Sequence, residues 1–357
     1  MTNAQLLNRK SSFCCAIFLA TLIFHTGCQN DEEVNQAESA STFEINEFEL
    51  FADFDQHGLV QPLQIEILPN SNLVVLDQQT NKILILNGEG ELLYTFGGEG
   101  SGPGEFQRAT QLLYSENYLY VVDANLRQIN QFSYSGDFIQ SFDVDTGMYQ
   151  PYVTLMNDES YYTMTMGENG NLIKKSELNT GETYFFGKAP GDEFQLGNSE
   201  KELRTLQRGE IPDFMKNTIT KHFSGDHLYV FLNTLGRLQK YTSEGRLLWD
   251  KEIHMPVNQA IFDEAIEQAK VAEWGIPSFK YILSIKVIDK EPYLLWNSTD
   301  GFLQKMVKTD ADGHLLKIIK IHDNDSSFSD FSIDSKNNIL YLIDSETGQI
   351  SRTKLPG

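Results

Sequence analysis

Apolar positions along this chain come in short bursts that repeat one grammar: a hydrophobic strand, a tight polar turn, a second hydrophobic strand six residues on, then a glycine turn and a third strand. The bursts read Leu73-Val-Val-Leu-Asp77, Leu119-Tyr-Val-Val-Asp123, Tyr161-Tyr-Thr-Met-Thr165, Leu228-Tyr-Val-Phe-Leu232, Tyr293-Leu-Leu-Trp-Asn297 and Leu340-Tyr-Leu-Ile-Asp344. Strand-forming sequence with a period near the forties builds a β-propeller. Five copies place an aliphatic residue six after the last position (Ile83, Ile129, Leu238, Leu303, Ile350), and the third slips by one to Leu172. Hairpin turns are marked by Asn87-Gly-Glu-Gly90, Tyr134-Ser-Gly136, Ser243-Glu-Gly245 and Asp310-Ala-Asp-Gly313, residues that favour tight turns. With an inner strand ahead of each burst and an outer strand behind it, such as 92–96 or 138–142, each copy makes one four-stranded blade. The pattern predicts an all-β fold, a six-bladed β-propeller over residues 43–357, one domain because a ring of blades cannot be divided.

The sixth copy reaches Gly357 where the turn into its outer strand should come. The missing strand is expected in Phe43-Glu-Ile-Asn-Glu-Phe-Glu-Leu-Phe51, which alternates apolar and polar and belongs to no burst. Paired with the third strand of the last blade, this N-terminal strand would close the ring and remove two exposed sheet edges. Two links between blades are long enough for short helical insertions. Ser199 to Arg208 reads as a helix with a Ser cap and Glu202 three residues later. Asn258 to Gly275 reads as a second, with Asn258 as cap, a stripe of Ile261, Ala265, Ile266, Ala269 and Ala272, and Gly275 as stop.

One junction carries a family signature. Phe96-Gly-Gly-Glu-Gly-Ser-Gly-Pro-Gly-Glu-Phe106, followed by Val121-Val-Asp123 and Arg127, resembles the NHL repeat, and Gly187-Lys-Ala-Pro-Gly-Asp-Glu-Phe194 is a degenerate echo. Residues 43–357 as a whole resemble the six-bladed, NHL-like propellers found as bacterial lipoproteins. That resemblance implies the fold and leaves the chemistry open.

The front of the chain gives an address. Arg9 and Lys10 precede an apolar run from Phe13 to Phe24, too short to span a bilayer, and Thr26-Gly27-Cys28 follows, so residues 1–27 read as a signal peptide. The Thr-Gly-Cys ending resembles a lipobox, with His25 where Leu is usual, and implies cleavage before Cys28 and a lipid anchor on its thiol. Residues 28–42 form a flexible acidic tether, too poor in apolar groups to fold; its Asp31-Glu-Glu33 resembles the acidic tethers of surface-exposed lipoproteins. The expected localisation is therefore an exported lipoprotein of the outer membrane, on its periplasmic or surface side. Cys14, Cys15 and Cys28 all fall in or at the end of the leader, so the exported domain holds neither disulfide nor thiol chemistry. With 28 basic and 50 acidic residues, two of the basic ones in the leader, the mature charge is −24. Nucleic acid is excluded as a partner, and the membrane enters by the lipid anchor only.

Links between blades and turns between second and third strands emerge on one face, at the mouth of the central channel. Candidate ligand-binding residues there are Arg108 and Lys280 at the starts of inner strands, Arg127 and Arg237 in strand turns, and Tyr149, Tyr152, Arg204, Arg208 and Trp274 in or beside the links. Arginine forks and aromatic faces suit sugars, peptides and carboxylates. Asp77, Asp123, Asn297 and Asp344 recur at one register, which marks them as turn caps rather than catalysts.

The inner-strand starts offer Gln61, Gln64, Arg108, Thr110, Gln150, His222, Lys280 and Asp330, a poor cage for a divalent ion. No nucleophile, phosphate-loop or dinucleotide motif occurs, and no cofactor or metal is expected. The leading expectation is a non-catalytic, lipid-anchored propeller of the cell envelope that binds a glycan, peptide or partner protein on its insertion-bearing face. The alternative is a metal-dependent lyase or lactone hydrolase with a cation in the channel.

Overall fold

A computed structural model describes residues 40–144, 153–155 (backbone only), 159–195, 197–273, 275–299, 303–322 and 326–356. Strands β1 (Ser41–Ile45) and β2 (Glu49–Ala52) open the fold and are followed by the short helix α1 (Phe54–His57). Blade 1 is β3 (Pro62–Ile67), β4 (Leu73–Asp77), β5 (Lys82–Leu86) and β6 (Leu92–Gly97). Blade 2 is β7 (Ala109–Tyr114), β8 (Leu119–Asp123), β9 (Gln128–Phe132) and β10 (Phe138–Asp143). Blade 3 is β11 (Val153–Leu155), β12 (Ser160–Met164), β13 (Asn171–Glu177) and β14 (Thr183–Lys188). After α2 (Ser199–Gln207) and α3 (Asp213–Lys216) comes blade 4: β15 (Ile219–Ser224), β16 (His227–Leu232), β17 (Arg237–Thr242) and β18 (Leu247–Glu252). Helix α4 (Val257–Val271) leads into blade 5, β19 (Ile282–Ile288), β20 (Glu291–Trp296), β21 (Lys305–Thr309) and β22 (Leu315–Ile321). Blade 6 supplies β23 (Phe328–Asp334), β24 (Ile339–Asp344) and β25 (Ile350–Lys354). The six innermost strands touch in succession and β23 meets β3, so the chain is a six-bladed β-propeller.

The second strands explain the apolar bursts. In β4, Leu73 and Val75 face a core shared with blade 6, while Val74 and Leu76 face one shared with blade 2. In β8, Leu119 and Val121 turn to blade 1, and Tyr120 and Val122 to blade 3. A strand buried on both faces needs a continuous hydrophobic run rather than alternation. The core is accordingly six inter-blade layers, with a seventh under the helices built on Leu206, Met215 and Ala269.

Closure uses the N-terminal segment twice. Strand β2 pairs antiparallel with β25 and completes blade 6, burying Phe51 and Ala52. The expected single strand over Phe43–Phe51 is in fact two, because β1 runs parallel to β22 as a fifth strand on blade 5. Arg352 holds β2 by an ion pair to Glu49 (2.9 Å) and by stacking over Phe51 (5.4 Å). Lys320 and His322 reach Glu44 of β1 at 3.2 and 3.5 Å.

Both insertions are helical and lie side by side, α2 against α4. Their caps differ from the sequence expectation. Asn198 occupies the N-cap position of α2, one residue before Ser199, and makes no side-chain cap bond. Asn258 lies inside α4 and is buried, its Oδ1 accepting from Trp296 Nε1 at 2.8 Å; satisfying that buried indole N–H outweighs capping. Among the described residues no helix is long and apolar enough to cross a membrane.

Candidate functional site

The ring leaves a central cavity of about 1460 Å³ that runs the length of the inner strands. At the insertion-bearing face its wall includes Gln78, Arg108, Thr218, Asn233, Lys280 and Asn297, and at the other face Glu116, Asn117 and Asp226. Four inner strands enter with a bulge at their second residue, between Pro62 and Gln64, Ala109 and Gln111, Ile282 and Ser284, and Phe328 and Asp330. A bulge bends the strand and re-aims the side chains after it; those of Gln64, Ser284 and Asp330 line the channel.

An innermost strand has one edge with no sheet partner, and its backbone groups must be satisfied some other way. Here side chains from neighbouring blades do it. Gln64 of β3 accepts from Leu112 N–H (3.0 Å) and donates to Leu112 C=O (2.8 Å) on β7. Asp330 of β23 accepts from Ile65 N–H at 3.0 Å, and Lys286 of β19 donates to Ile65 C=O at 3.1 Å. Asn81 accepts from Ala109 N–H (2.9 Å), and Gln304 from Phe328 N–H (3.0 Å).

At the centre lies a buried ionic clasp. The Lys286 ammonium donates to Glu66 Oε1 and stands 3.5 Å from Asp330 Oδ2. Ser284 Oγ donates to Asp330 Oδ1 at 2.5 Å, and Gln64 Nε2 to Glu66 Oε1 at 2.9 Å. Residues of blades 5, 6, 1 and 2 are thus tied across the ring. Burial pushes the Glu66 carboxyl above the usual range despite Lys286. Burial alone would depress Lys286, but Asp330 and Glu66 outweigh it and hold the ammonium above its ordinary value.

The wall of blade 4 behaves differently. Desolvation lowers Lys221 to about 7, and desolvation together with the Lys286 charge lowers His222 to about 3, so that ring is neutral at physiological pH. Lys280, at the mouth, is also lowered by desolvation against the opposing pull of Asp330.

Of the residues expected at the site, Arg108 and Lys280 both line the channel, from blades 2 and 5 on opposite sides of the ring. Arg127 is exposed in its strand turn at a φ of 55° and lies off the channel. Arg204 pairs with Glu200 (2.5 Å), Arg208 with Glu210 (3.5 Å) and Arg237 with Asp250 (3.0 Å), all away from the wall. Tyr149, Tyr152, Gln150, Trp274 and Cys28 lie outside the described residues. The helices flank the mouth without lining it. Phe262 of α4 packs on Phe279 (5.2 Å between rings), and the link Ser278 to Lys280 enters the wall. Glu66, Lys221, Ser284 and Lys286 also line the channel and belong to no motif of the sequence. The available signal was polar side chains at alternate positions of otherwise apolar strands, Gln64 and Glu66 in β3 and Ser284 and Lys286 in β19.

Among the described residues no three His, Cys, Asp or Glu side chains converge as a metal-binding group. The recurrent acids are structural. Asp77 accepts from Val60 and Thr80 N–H (2.5 and 3.1 Å), and Asp344 from Glu346 N–H (2.9 Å) and Thr347 Oγ1 (2.7 Å).

A family described as DUF5128, 6-bladed beta-propeller, matches residues 27–203. No curated protein matches the chain. Among solved structures, a DUF4221 family member from Bacteroides vulgatus is similar at a TM-score of 0.59 and 10% identity, over 87% of this chain and 96% of that one. A protein of Bacteroides fragilis described as exported is similar at a TM-score of 0.56 and 11% identity, over 88% of this chain and 98% of its own. At these identities the likeness speaks for the ring alone.

Proposed function

We propose that this chain is an exported, lipid-anchored binding protein of the cell envelope that takes a glycan, a peptide or a segment of a partner protein into the mouth of its channel on the insertion-bearing face. The observation that carries this reading is the channel itself, a cavity of about 1460 Å³ of mixed polar and apolar lining, with Arg108, Lys280, Asn233 and Asn297 at its rim. Its size exceeds the roughly 300–1,000 Å³ of sites for single small molecules. The cation-dependent alternative has less support, because the Lys286 ammonium already stands between Glu66 and Asp330, where a metal ion would need those carboxylates. The anchor is read from Thr26-Gly27-Cys28, and on this reading the ring stands off the outer membrane on a tether that ends where β1 begins, since Ser41 and Thr42 belong to that strand and not to the 28–42 segment expected to be flexible.

The reading is tested with the full chain in detergent on a glycan and peptide array. Thr110→Trp from blade 2 and Ser278→Trp from the exposed rim each narrow the mouth of the channel, and together they should abolish capture of whatever the unaltered protein retains. Capture that survives both substitutions would place the binding surface elsewhere and refute the reading. In cells, Cys28→Ser should move the chain from the membrane to the soluble fraction.

A further inference from the structure

The channel wall is polarised by charge. Arg108, Lys221 and Lys280 line it from blades 2, 4 and 5. Its central acids are engaged: Glu66 by Lys286 and Gln64, Asp330 by Lys286, Ser284 and Ile65 N–H. The other two acids of the wall, Glu116 and Asp226, sit in first-to-second-strand turns at the opposite face. In a protein of net charge −22, three basic groups therefore line one cavity from blades 2, 4 and 5, while its two central carboxylates share the Lys286 ammonium and are turned into the clasp.

Resting on the binding role proposed above, we propose that the occupant is an acidic oligosaccharide, with its carboxylates on Arg108, Lys221 and Lys280 and its hydroxyls on the amide and hydroxyl groups of the wall. Gln78, Thr110, Thr220, Asn233 and Asn297 supply groups that both donate and accept, as sugar hydroxyls require. Phe223 and Phe279 line the same cavity and add apolar surface against which the C–H side of a pyranose ring packs. An extended peptide would instead add to a free strand edge. That mode is obstructed on β3 and β7, where Ile65 and Leu112 already have both backbone groups bonded to side chains. The lowered Lys221 and Lys280 fit the same picture, since desolvation disfavours their charged forms until an anion arrives.

Calorimetry on the full chain in detergent would compare trimers of galacturonate, glucuronate and mannuronate with their methyl esters, which keep the shape and lose the charge. At least one acid trimer should bind tenfold or more tightly than its ester. Arg108→Gln and Lys280→Gln should each weaken that trimer about tenfold while leaving the ester unchanged, and Arg204→Gln on α2, outside the channel, should change neither. Equal affinity for all acids and esters, preference for a glutamate-rich peptide, or indifference to both channel variants overturns the proposal. If neutral sugars or peptides bind and Ser278→Trp blocks them, the binding role stands and only the acidic sugar falls. If nothing bound is blocked by Thr110→Trp and Ser278→Trp together, the binding role falls first.

Discussion

Asp123 shows how one residue type, repeated at one register, sets the geometry of a blade. Its Oδ1 accepts from Asn125 and Leu126 N–H (2.9 Å each) in the turn that follows, and its Oδ2 from Gln107 N–H (2.7 Å) in the link that enters the same blade. The side chain is fully buried, so the bonds form where water cannot replace them, and a charged acceptor strengthens each. Ala124 N–H to Arg108 C=O (2.9 Å) then fixes the same crossing in the backbone. Because Arg108 follows Gln107 directly, the staple also holds a channel residue in place. Asp123→Ala orphans at least three backbone donors. The expected loss is about 2–4 kcal/mol, from about 1–3 kcal/mol for each buried donor left without a partner, reduced by local relaxation. Urea unfolding checks it, and a loss below about 1 kcal/mol would show that the turn holds itself.

At the scale of the element, the segment with most influence per residue is the N-terminal pair of strands. Ile45 and Phe51 are buried, and Phe51 meets Tyr341 edge-on at 4.8 Å between centroids. Each is worth about 1.5–3 kcal/mol of burial, before counting the strand edges that β1 and β2 cover. Removing residues 40–52 should lower the melting temperature by roughly 10 °C or more, at about 2–4 °C per kcal/mol; an unchanged melting curve would mean that the ring closes without them. That a strand from this region completes the last blade was legible, because the sixth burst lacked a partner and the early residues had none of their own. That Ser41–Ile45 pairs with blade 5 was not, since Ser41 and Lys317 are distant in sequence and the pairing leaves no local mark. The channel divides in the same way. Arg108 and Lys280 could be placed by counting back from the bursts. The bulges that re-aim the inner strands depend on crowding at the axis, and no short-range pattern announces them.

At the scale of the whole molecule, the clasp of Lys286, Glu66 and Asp330 joins blade 5 to blade 1 across blade 6 and so secures the seam where the two ends of the ring meet. All three side chains are buried. Lys286→Met would leave two carboxylates without a counter-charge, and removing one partner of a buried pair costs about 3–5 kcal/mol. The loss should depend on pH with a definite sign. Glu66 already has a folded-state pKa above its unfolded value. The stability linked to its proton is fully present below the unfolded pKa, near 4.5, and is lost as pH rises through the folded one. Without Lys286 the folded value climbs further, because the ammonium was the group pulling it down, so the loss reaches to higher pH and grows. The gap in melting temperature between Lys286→Met and the unaltered chain should therefore be wide at pH 8 and narrow as pH falls toward 5. A gap that stays constant across that range would mean that the seam is held by apolar contact between blades 6 and 1, with the clasp adding nothing to it.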